Sequence, residues 1–193
     1  MSENYLNESY LFLADGFEEI EALATVDILR RAEMTVRTVA VNTTDSFTVT
    51  GAHGVPVKAD LLLNDVAVSD DTQWLILPGG MPGATNLAAS AKLNEMLKSH
   101  HSRGGKIAAI CASPAVVLSP LGILDGKKAT CYPGFENITS TEAEMTGEPV
   151  VTAGNVITAN GPANTPAFAL AIVAATKGAE TAGSVAQGML YKG

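Results

Sequence analysis

Cys111 is the residue best placed for covalent chemistry. It follows the apolar run 107–110 and precedes Ala112, Ser113 and Pro114, an order that predicts a strand, a sharp turn and a helix with Pro114 in its first position and Ser113 as its cap. The sulfur would then lie near unpaired N–H groups at the positive end of a helix, where a thiolate is favoured. A small buried residue at a strand end has the same pattern, so position alone leaves a structural role for Cys111 open.

Gly79 and Gly80 form a second turn that could assist a reactive thiol. They follow the apolar run 74–77, and without a Cβ their backbone N–H groups are open to a ligand. Together with the N–H of Ala112, they could hold a developing oxyanion or a carboxylate. A glycine pair after a strand is also an ordinary turn, so this interpretation depends on the proximity of Cys111.

Glu21 is the acid that we favour as the partner of Cys111. Glu18, Glu19 and Glu21 open a predicted helix, where acidic side chains usually face solvent and complement the helix dipole. Glu21 differs because it shares a helix face with Ile28, and desolvation on such a face raises the pKa of a carboxyl group. We therefore expect Glu21 to keep a proton available for transfer.

The other reactive side chains have no evident place beside Cys111. His100 and His101 lie late in a polar helix and are expected at the surface, and His53 lies in a predicted hairpin. Cys131 is expected to be a buried structural thiol, and Tyr132 could offer its hydroxyl to the pocket. Because the two cysteines have no C-x-x-C spacing, we predict free thiols, no zinc site and a reducing compartment.

Apolar strands alternate with amphipathic helices, a pattern typical of a largely parallel sheet covered on both faces. Strands are predicted at 10–14, 35–41, 74–77 and 106–110, hairpins at 47–57 and 150–158, and helices at 17–32, 87–103 (one or two), 115–118, 163–175 and 179–190. The carboxyl ends of parallel strands share one edge of a sheet, where ligands gather. We therefore expect the turns 15–18, 78–80 and 111–113 to meet there.

The composition excludes several classes of protein. The chain has 193 residues, 47% of them hydrophobic and 17% charged, which predicts a single folded domain over residues 1–193. A formal net charge of −8 argues against nucleic acid or an anionic membrane as a partner. The polar amino terminus and the lack of a long apolar run predict a cytoplasmic protein without a membrane segment.

Four segments resemble motifs of the ThiJ/PfpI superfamily, in the family's order and over nearly the whole chain. They are Asp15–Glu21, Leu77–Gly80, Ala108–Ala112 and Ala159–Pro162. The sequence is most similar to the branch that contains the parkinsonism-associated deglycase and its small bacterial relatives. The resemblance implies an α/β, flavodoxin-like three-layer sandwich with a mostly parallel central sheet and a small β-hairpin decoration, assembled as a homodimer.

The resemblance also implies roles for individual residues. Cys111 matches the family's oxidation-sensitive nucleophile, and Glu21 matches the protonated acid hydrogen-bonded to it. The backbone donors around the sulfur match Gly79, Gly80 and Ala112, and a possible pocket adds Tyr132, Gly161 and Pro162. The implied substrates are small aldehydes or dicarbonyls, with no metal and no cofactor.

Two functions stay open on these grounds. Relatives in this branch are associated with cofactor-free glyoxalase or deglycase chemistry on methylglyoxal and its adducts, and some carry a label for thiazole monophosphate biosynthesis. Tyr132 stands where the branch often has a histidine, and Ala112 stands where the protease-like branch has one, so neither a Cys-His dyad nor peptidase activity is expected. The alternative to an enzyme is a redox-sensing or protective protein in which Cys111 oxidises to a sulfinic acid.

Overall fold

The computed structural model describes residues 7–41, 46–138 and 142–192, so the polar amino terminus considered above lies outside the described residues. The strands are β1 (Ser9–Leu13), β2 (Val36–Ala40), β3 (Thr48–Thr50), β4 (Pro56–Lys58), β5 (Leu61–Leu62), β6 (Trp74–Leu77), β7 (Lys106–Ile110), β8 (Lys128–Ala129), β9 (Glu144–Met145), β10 (Val150–Ala153) and β11 (Val156–Ala159). The α-helices are α1 (Glu19–Arg31), α2 (Gly83–Ala88), α3 (Ala91–Ser102), α4 (Thr165–Lys177) and α5 (Ala179–Gly188). A π-helical turn spans Pro114–Leu118, and 3₁₀ turns span Leu63–Asp65, Ser119–Leu121, Glu136–Ile138 and Pro162–Asn164.

Seven of the described strands form one sheet in the order β10-β11-β7-β6-β1-β2-β5. Neighbouring strands run parallel, apart from β10, which pairs antiparallel with β11 at one edge as the predicted second hairpin. The first predicted hairpin, β3 and β4, forms a small antiparallel sheet of its own. Gly16 N–H donates to the Thr50 carbonyl at 2.8 Å, which attaches this hairpin to the turn after β1.

Helices cover both faces of the central sheet. Alternate residues of a strand point to opposite faces, so Leu11 and Leu13 of β1 pack in the core that contains α1 and α4. Tyr10 and Phe12 pack in the core on the other face, which contains residues of α3. The predicted three-layer α/β sandwich with a mostly parallel sheet and a hairpin decoration is therefore confirmed. Within the described ranges, no helix combines the length and apolar character needed to cross a lipid bilayer.

Capping side chains determine where the helices begin. α1 begins at Glu19, two residues later than predicted, because the Glu18 carboxylate accepts a hydrogen bond from Glu21 N–H at 2.7 Å. The predicted helical region 87–103 is two helices, because the Ser90 hydroxyl accepts a hydrogen bond from Leu93 N–H at 3.3 Å and starts α3.

His100 is buried, which corrects the prediction of a surface position. A Cβ added at Gly105 would overlap the imidazole of His100, so the ring lies against a residue that has no side chain. Burial lowers the pKa of His100. The last turn of α3 packs against the loop that follows it, before β7, and helical periodicity does not reveal such a contact. His101 remains partly exposed, as predicted.

Candidate active site

Three turns meet at one edge of the sheet because β6 lies between β1 and β7, parallel to both. Glu18 N–H donates to the Gly79 carbonyl at 3.0 Å, which joins the turn after β1 to the turn after β6. Cys111 follows β7 directly, beside this junction. The expected meeting of the turns 15–18, 78–80 and 111–113 is confirmed.

Cys111 occupies a sharp turn with a left-handed backbone, at φ 65°. This region is sparsely populated by residues other than glycine, and such strain persists only where neighbouring contacts maintain it. Here Cys111 N–H donates to the Ala159 carbonyl of β11, and the Cys111 carbonyl accepts from Tyr132 N–H, both at 2.8 Å. The elbow after β7 is thus held from two sides, and it directs the sulfur to the edge where the turns meet.

Because Gly79 has no side chain, the thiol of Cys111 and the carboxyl of Glu21 can approach each other. A Cβ added at Gly79 would lie 2.6 Å from the Cys111 Cβ and 2.8 Å from Glu21 Oε2. Both groups therefore approach the same point, and a larger residue at position 79 would occupy it. Gly80 is also required, because its φ is +88° and an added Cβ would lie 2.5 Å from Glu18 N.

Glu21 is fully buried beside this point. Its Oε2 accepts a hydrogen bond from Gly79 N–H at 2.7 Å. Its Oε1 is buried with no partner that meets strict hydrogen-bond geometry, although the carboxyl and the Cys111 thiol shift each other's pKa through a side-chain hydrogen bond. Oε1 therefore has no hydrogen-bond partner that would prevent it from carrying a proton.

Glu21 and Cys111 titrate as a pair. Burial raises the pKa of Glu21 to about 7, although the Gly79 N–H acts in the opposite direction. Burial, and then the charge and hydrogen bond of Glu21, raise the pKa of Cys111 to about 12. Because two negative charges are disfavoured in one buried space, the pair loses its first proton near neutral pH and keeps the second. A thiolate at neutral pH therefore requires a protonated Glu21.

This result modifies the expectation of a thiolate stabilised by backbone groups alone. The N–H groups of Gly80 and Ala112 do lower the pKa of Cys111, but burial and Glu21 outweigh them. The Gly79 N–H, expected among the donors to the sulfur, instead donates to Glu21. Ser113 is likewise not a helix cap: its backbone is helical, and its hydroxyl donates to the Pro78 carbonyl at 2.5 Å. Pro114 does begin the helical turn as predicted.

The residues proposed for a pocket lie around the elbow. Tyr132 is held beside Cys111 by the backbone hydrogen bond between them, and the residue is 45% exposed. A Cβ added at Gly161 would contact that ring at 3.4 Å, and the ring packs edge-on against Phe135 with centroids 6.3 Å apart. Pro162 starts the 3₁₀ turn that follows β11, on the same edge of the sheet. The tyrosine ring, rather than a histidine, is thus presented next to the elbow.

The pairing of Glu19 with His53 was not anticipated from the sequence. Glu19 is buried, and its carboxylate accepts from His53 N–H at 2.7 Å and contacts His53 Nδ1 at 2.8 Å. The bond to Glu19 raises the pKa of His53. Glu18, Glu19 and His53 are also the residues, within the described ranges, whose ligand atoms lie within 4.8 Å of one another. These atoms are already engaged with each other and with α1, so we assign no metal to them.

Comparisons with known proteins agree on one family. The sequence model of the DJ-1/PfpI family matches residues 8–175. Protein DJ-1 homolog B of Arabidopsis thaliana is 41% identical over 161 residues, which are 83% of this chain and 36% of that relative, so this chain spans about a third of its length. The Caenorhabditis elegans protein named glutathione-independent glyoxalase DJR-1.2 is 36% identical over 169 residues, with 87% of each chain covered.

A solved structure agrees with the sequence comparisons. The structure described as oxidized Toxoplasma gondii DJ-1 has a TM-score of 0.88 and 37% sequence identity. The superposition covers 96% of this chain and 99% of the other. The similarity therefore extends over the central sheet, its helices and the edge where the three turns meet.

Proposed function

The chain belongs to the DJ-1/PfpI family with its flavodoxin-like fold, and on that premise we propose that it is a cysteine-dependent, cofactor-free enzyme of the glyoxalase or deglycase type. Its substrates would be small reactive dicarbonyls or their adducts. The observation that carries the proposal is the approach of Cys111 and Glu21 to one point beside Gly79, with N–H groups directed at the sulfur. The name of the C. elegans relative supports the same chemistry.

The first step is addition of the Cys111 sulfur to the aldehyde carbon of methylglyoxal, while Glu21 is protonated. A C–S bond forms, and the carbonyl oxygen becomes an alkoxide that the Gly80 and Ala112 N–H groups are placed to stabilise. Glu21 then protonates this oxygen, which yields a neutral hemithioacetal and leaves Glu21 ionised. A pKa of about 7 allows Glu21 to hold either charge state near neutral pH.

The second step moves a proton within the bound substrate. The ionised Glu21 removes the C–H proton from the former aldehyde carbon, and the hydroxyl proton of the hemithioacetal passes to the ketone oxygen. Glu21 then returns its proton to the neighbouring carbon. The aldehyde carbon is thereby oxidised to a thioester and the ketone is reduced to an alcohol, so no external redox partner is needed. Water then cleaves the C–S bond, which releases lactate and restores the thiol.

Lactate formation from methylglyoxal tests this proposal. The wild type, Cys111→Ser and Glu21→Gln are compared at equal concentration, after circular dichroism shows that all three are folded. The proposal expects lactate from the wild type and almost none from either variant. Wild-type rates in both variants would reject it.

A redox-sensing or protective role is the second candidate, favoured by the absence of a histidine beside Cys111 among the described residues and by the relative described as oxidized. In this function, two molecules of hydrogen peroxide oxidise Cys111 in turn, first to a sulfenic and then to a sulfinic acid; each transfers one oxygen atom to the sulfur and leaves as water. The Gly80 and Ala112 N–H groups and a protonated Glu21 would bind the acid. Peroxide titration followed by mass spectrometry tests it, and a wild-type Cys111 that gains no oxygen rejects it.

We also propose a cytoplasmic homodimer. Ile20 and Leu23 project from the outer face of α1, and Val55 projects from the adjoining hairpin; all three are large apolar side chains with substantial exposure. Exposed large apolar side chains on adjoining elements are typical of an interface. Light scattering on the wild type and on Ile20→Glu measures the mass directly: a monomeric wild type excludes the dimer, and a monomeric variant of a dimeric wild type places the interface on α1.

A further inference from the structure

The Ser113 hydroxyl connects two turns that are far apart in the sequence. Ser113 is fully buried, and its Oγ donates to the Pro78 carbonyl at 2.5 Å. Pro78 leads into Gly79 and Gly80 after β6, whereas Ser113 closes the turn that Cys111 begins after β7. The bond therefore links the ends of two neighbouring strands, beyond the last bonds of the sheet ladder.

The two N–H groups that lower the pKa of the thiol come from these two different turns. Gly80 belongs to the turn after β6, and Ala112 belongs to the turn after β7. Their separation therefore depends on the separation of the turns. Hydrogen bonds to a charged acceptor weaken steeply with distance and misalignment, so a small relative shift of the turns removes one donor from the sulfur.

The turns after β6 and β7 are in close contact, so their relative position affects the groups around the sulfur. A Cβ at Gly79 would lie 2.6 Å from the Cys111 Cβ and 3.0 Å from the Ile110 carbonyl, so the two backbones already approach closely. Two bonds of the β6 turn involve residues that follow β1: Glu18 N–H donates to the Gly79 carbonyl, and Gly79 N–H donates to Glu21. A third runs to α2, where Ala84 N–H donates to the Gly80 carbonyl. The hydroxyl of Ser113 supplies the tie toward β7.

We propose that Ser113 is a positioning residue, whose hydroxyl sets the spacing of the Gly80 and Ala112 N–H groups and so keeps both directed at the sulfur of Cys111. The relevance to turnover rests on the proposed function. The arrangement of the N–H donors around the sulfur can be tested separately, because it affects the reactivity of the thiol even when no substrate is present. Glu21 faces the same sulfur from α1 and is unchanged in every variant below, with Glu18 acting on it in turn.

The test compares Ser113→Ala with Ser119→Ala. Ser119 is a matched control because its hydroxyl is equally buried, lies just after the same helical turn, and has no hydrogen-bond partner. The rate of Cys111 alkylation by iodoacetamide is followed across pH by peptide mass. We expect Ser113→Ala to slow alkylation about tenfold at pH 8 and to move its pH midpoint upward, the size expected for loss of one hydrogen bond to a charged group. Ser119→Ala and Ser113→Thr should match the wild type.

Three results would overturn the proposal. Wild-type alkylation in folded Ser113→Ala shows that the hydroxyl does not position the donors, and an equal loss in Ser119→Ala shows a general packing effect. If Ser113→Ala does not fold, amide hydrogen exchange of the wild type decides: the proposal requires slow exchange at Gly80 and Ala112, and rapid exchange at Gly80 overturns it. Failure to form lactate with the wild type would reject the proposed function alone, because the alkylation difference is measured without substrate.

Discussion

The two cysteines of the chain are both buried, yet they differ in the groups that form hydrogen bonds with the sulfur. Cys111 is 8% exposed and Cys131 is 3% exposed, and burial raises the pKa of both, to about 12 and about 11. Two N–H groups act against that rise at Cys111, which also faces an acid able to share its proton. At Cys131 the second influence is the negative charge of Glu136, which raises the pKa further.

The difference shows that a raised thiol pKa does not by itself identify an inert cysteine. At Cys111 the high value arises in part because the first negative charge of the pair is already present, and a protonated Glu21 reverses that contribution. At Cys131 the carboxyl of Glu136 raises the pKa through its charge, whereas Glu21 also acts on Cys111 through a hydrogen bond. Reactivity therefore depends on the partner that can take the proton.

The largest expected effect separates the two thiols directly. Cys111→Ser should lower the rate of lactate formation by at least about 10³-fold, because the hydroxyl replaces the nucleophile of a covalent pathway. Cys131→Ala should keep the wild-type rate. Lactate is measured enzymatically for both variants, and equal losses in the two would remove the distinction between the cysteines.

A smaller loss is expected when the acid beside Cys111 is neutralised. Glu21→Gln retains an oxygen that can accept from Gly79 N–H but cannot transfer a proton, so kcat should fall about 10²-fold. Glu19→Gln is the control, because Glu19 pairs with His53 instead of the thiol. Steady-state kinetics on both variants checks this, and an unchanged kcat in Glu21→Gln would show that another group moves the proton.

The buried carboxyl should also make stability depend on pH. The folded-state pKa of Glu21, about 7, lies above its ordinary value of 4.5, so the folded protein binds this proton more tightly than the unfolded chain does. The contribution of this proton to the stability of the fold is therefore fully present below pH 4.5 and is lost as the pH rises to about 7. The free energy of unfolding of Glu21→Gln, relative to wild type, should increase by roughly 3 kcal/mol between pH 4 and pH 8. Urea titrations at both pH values measure it; a constant difference contradicts the assignment.

The smallest expected effect concerns the glycine that lets the pair meet. Gly79→Ala should destabilise the fold by about 1–3 kcal/mol, because its methyl group would overlap the Cys111 side chain. Gly161→Ala is the comparison, since its methyl would make ordinary contact with Tyr132 at 3.4 Å. Thermal unfolding of both variants tests the contrast, which fails if the two lose equal stability.

Much of the fold is predictable because short apolar runs are bounded by turn residues. The predicted limits of β6, Trp74–Leu77, and of β7, Lys106–Ile110, agree with the structure residue by residue. Parallel strand order then follows from the alternation with helices, and it brings the turns to one edge. Cys111 and Glu21 were therefore identifiable as a pair before their distance was known.

The features that the sequence does not reveal are contacts between distant segments. Ser113 precedes a proline in a pattern typical of a helix cap, yet its hydroxyl finds a carbonyl 35 residues earlier. Glu19 looks like a solvated acid, yet a hairpin 34 residues later covers it. Local pattern cannot separate these cases, because the competing local and long-range bonds use the same donor and acceptor types.

The left-handed backbone at position 111 makes any residue other than glycine unfavourable there for the stability of the fold. An L-amino acid with a side chain costs about 1–2 kcal/mol in that conformation, and glycine adopts it freely. A glycine at position 111 would relieve this strain, so the cysteine carries a cost in stability that only its proposed chemistry would offset.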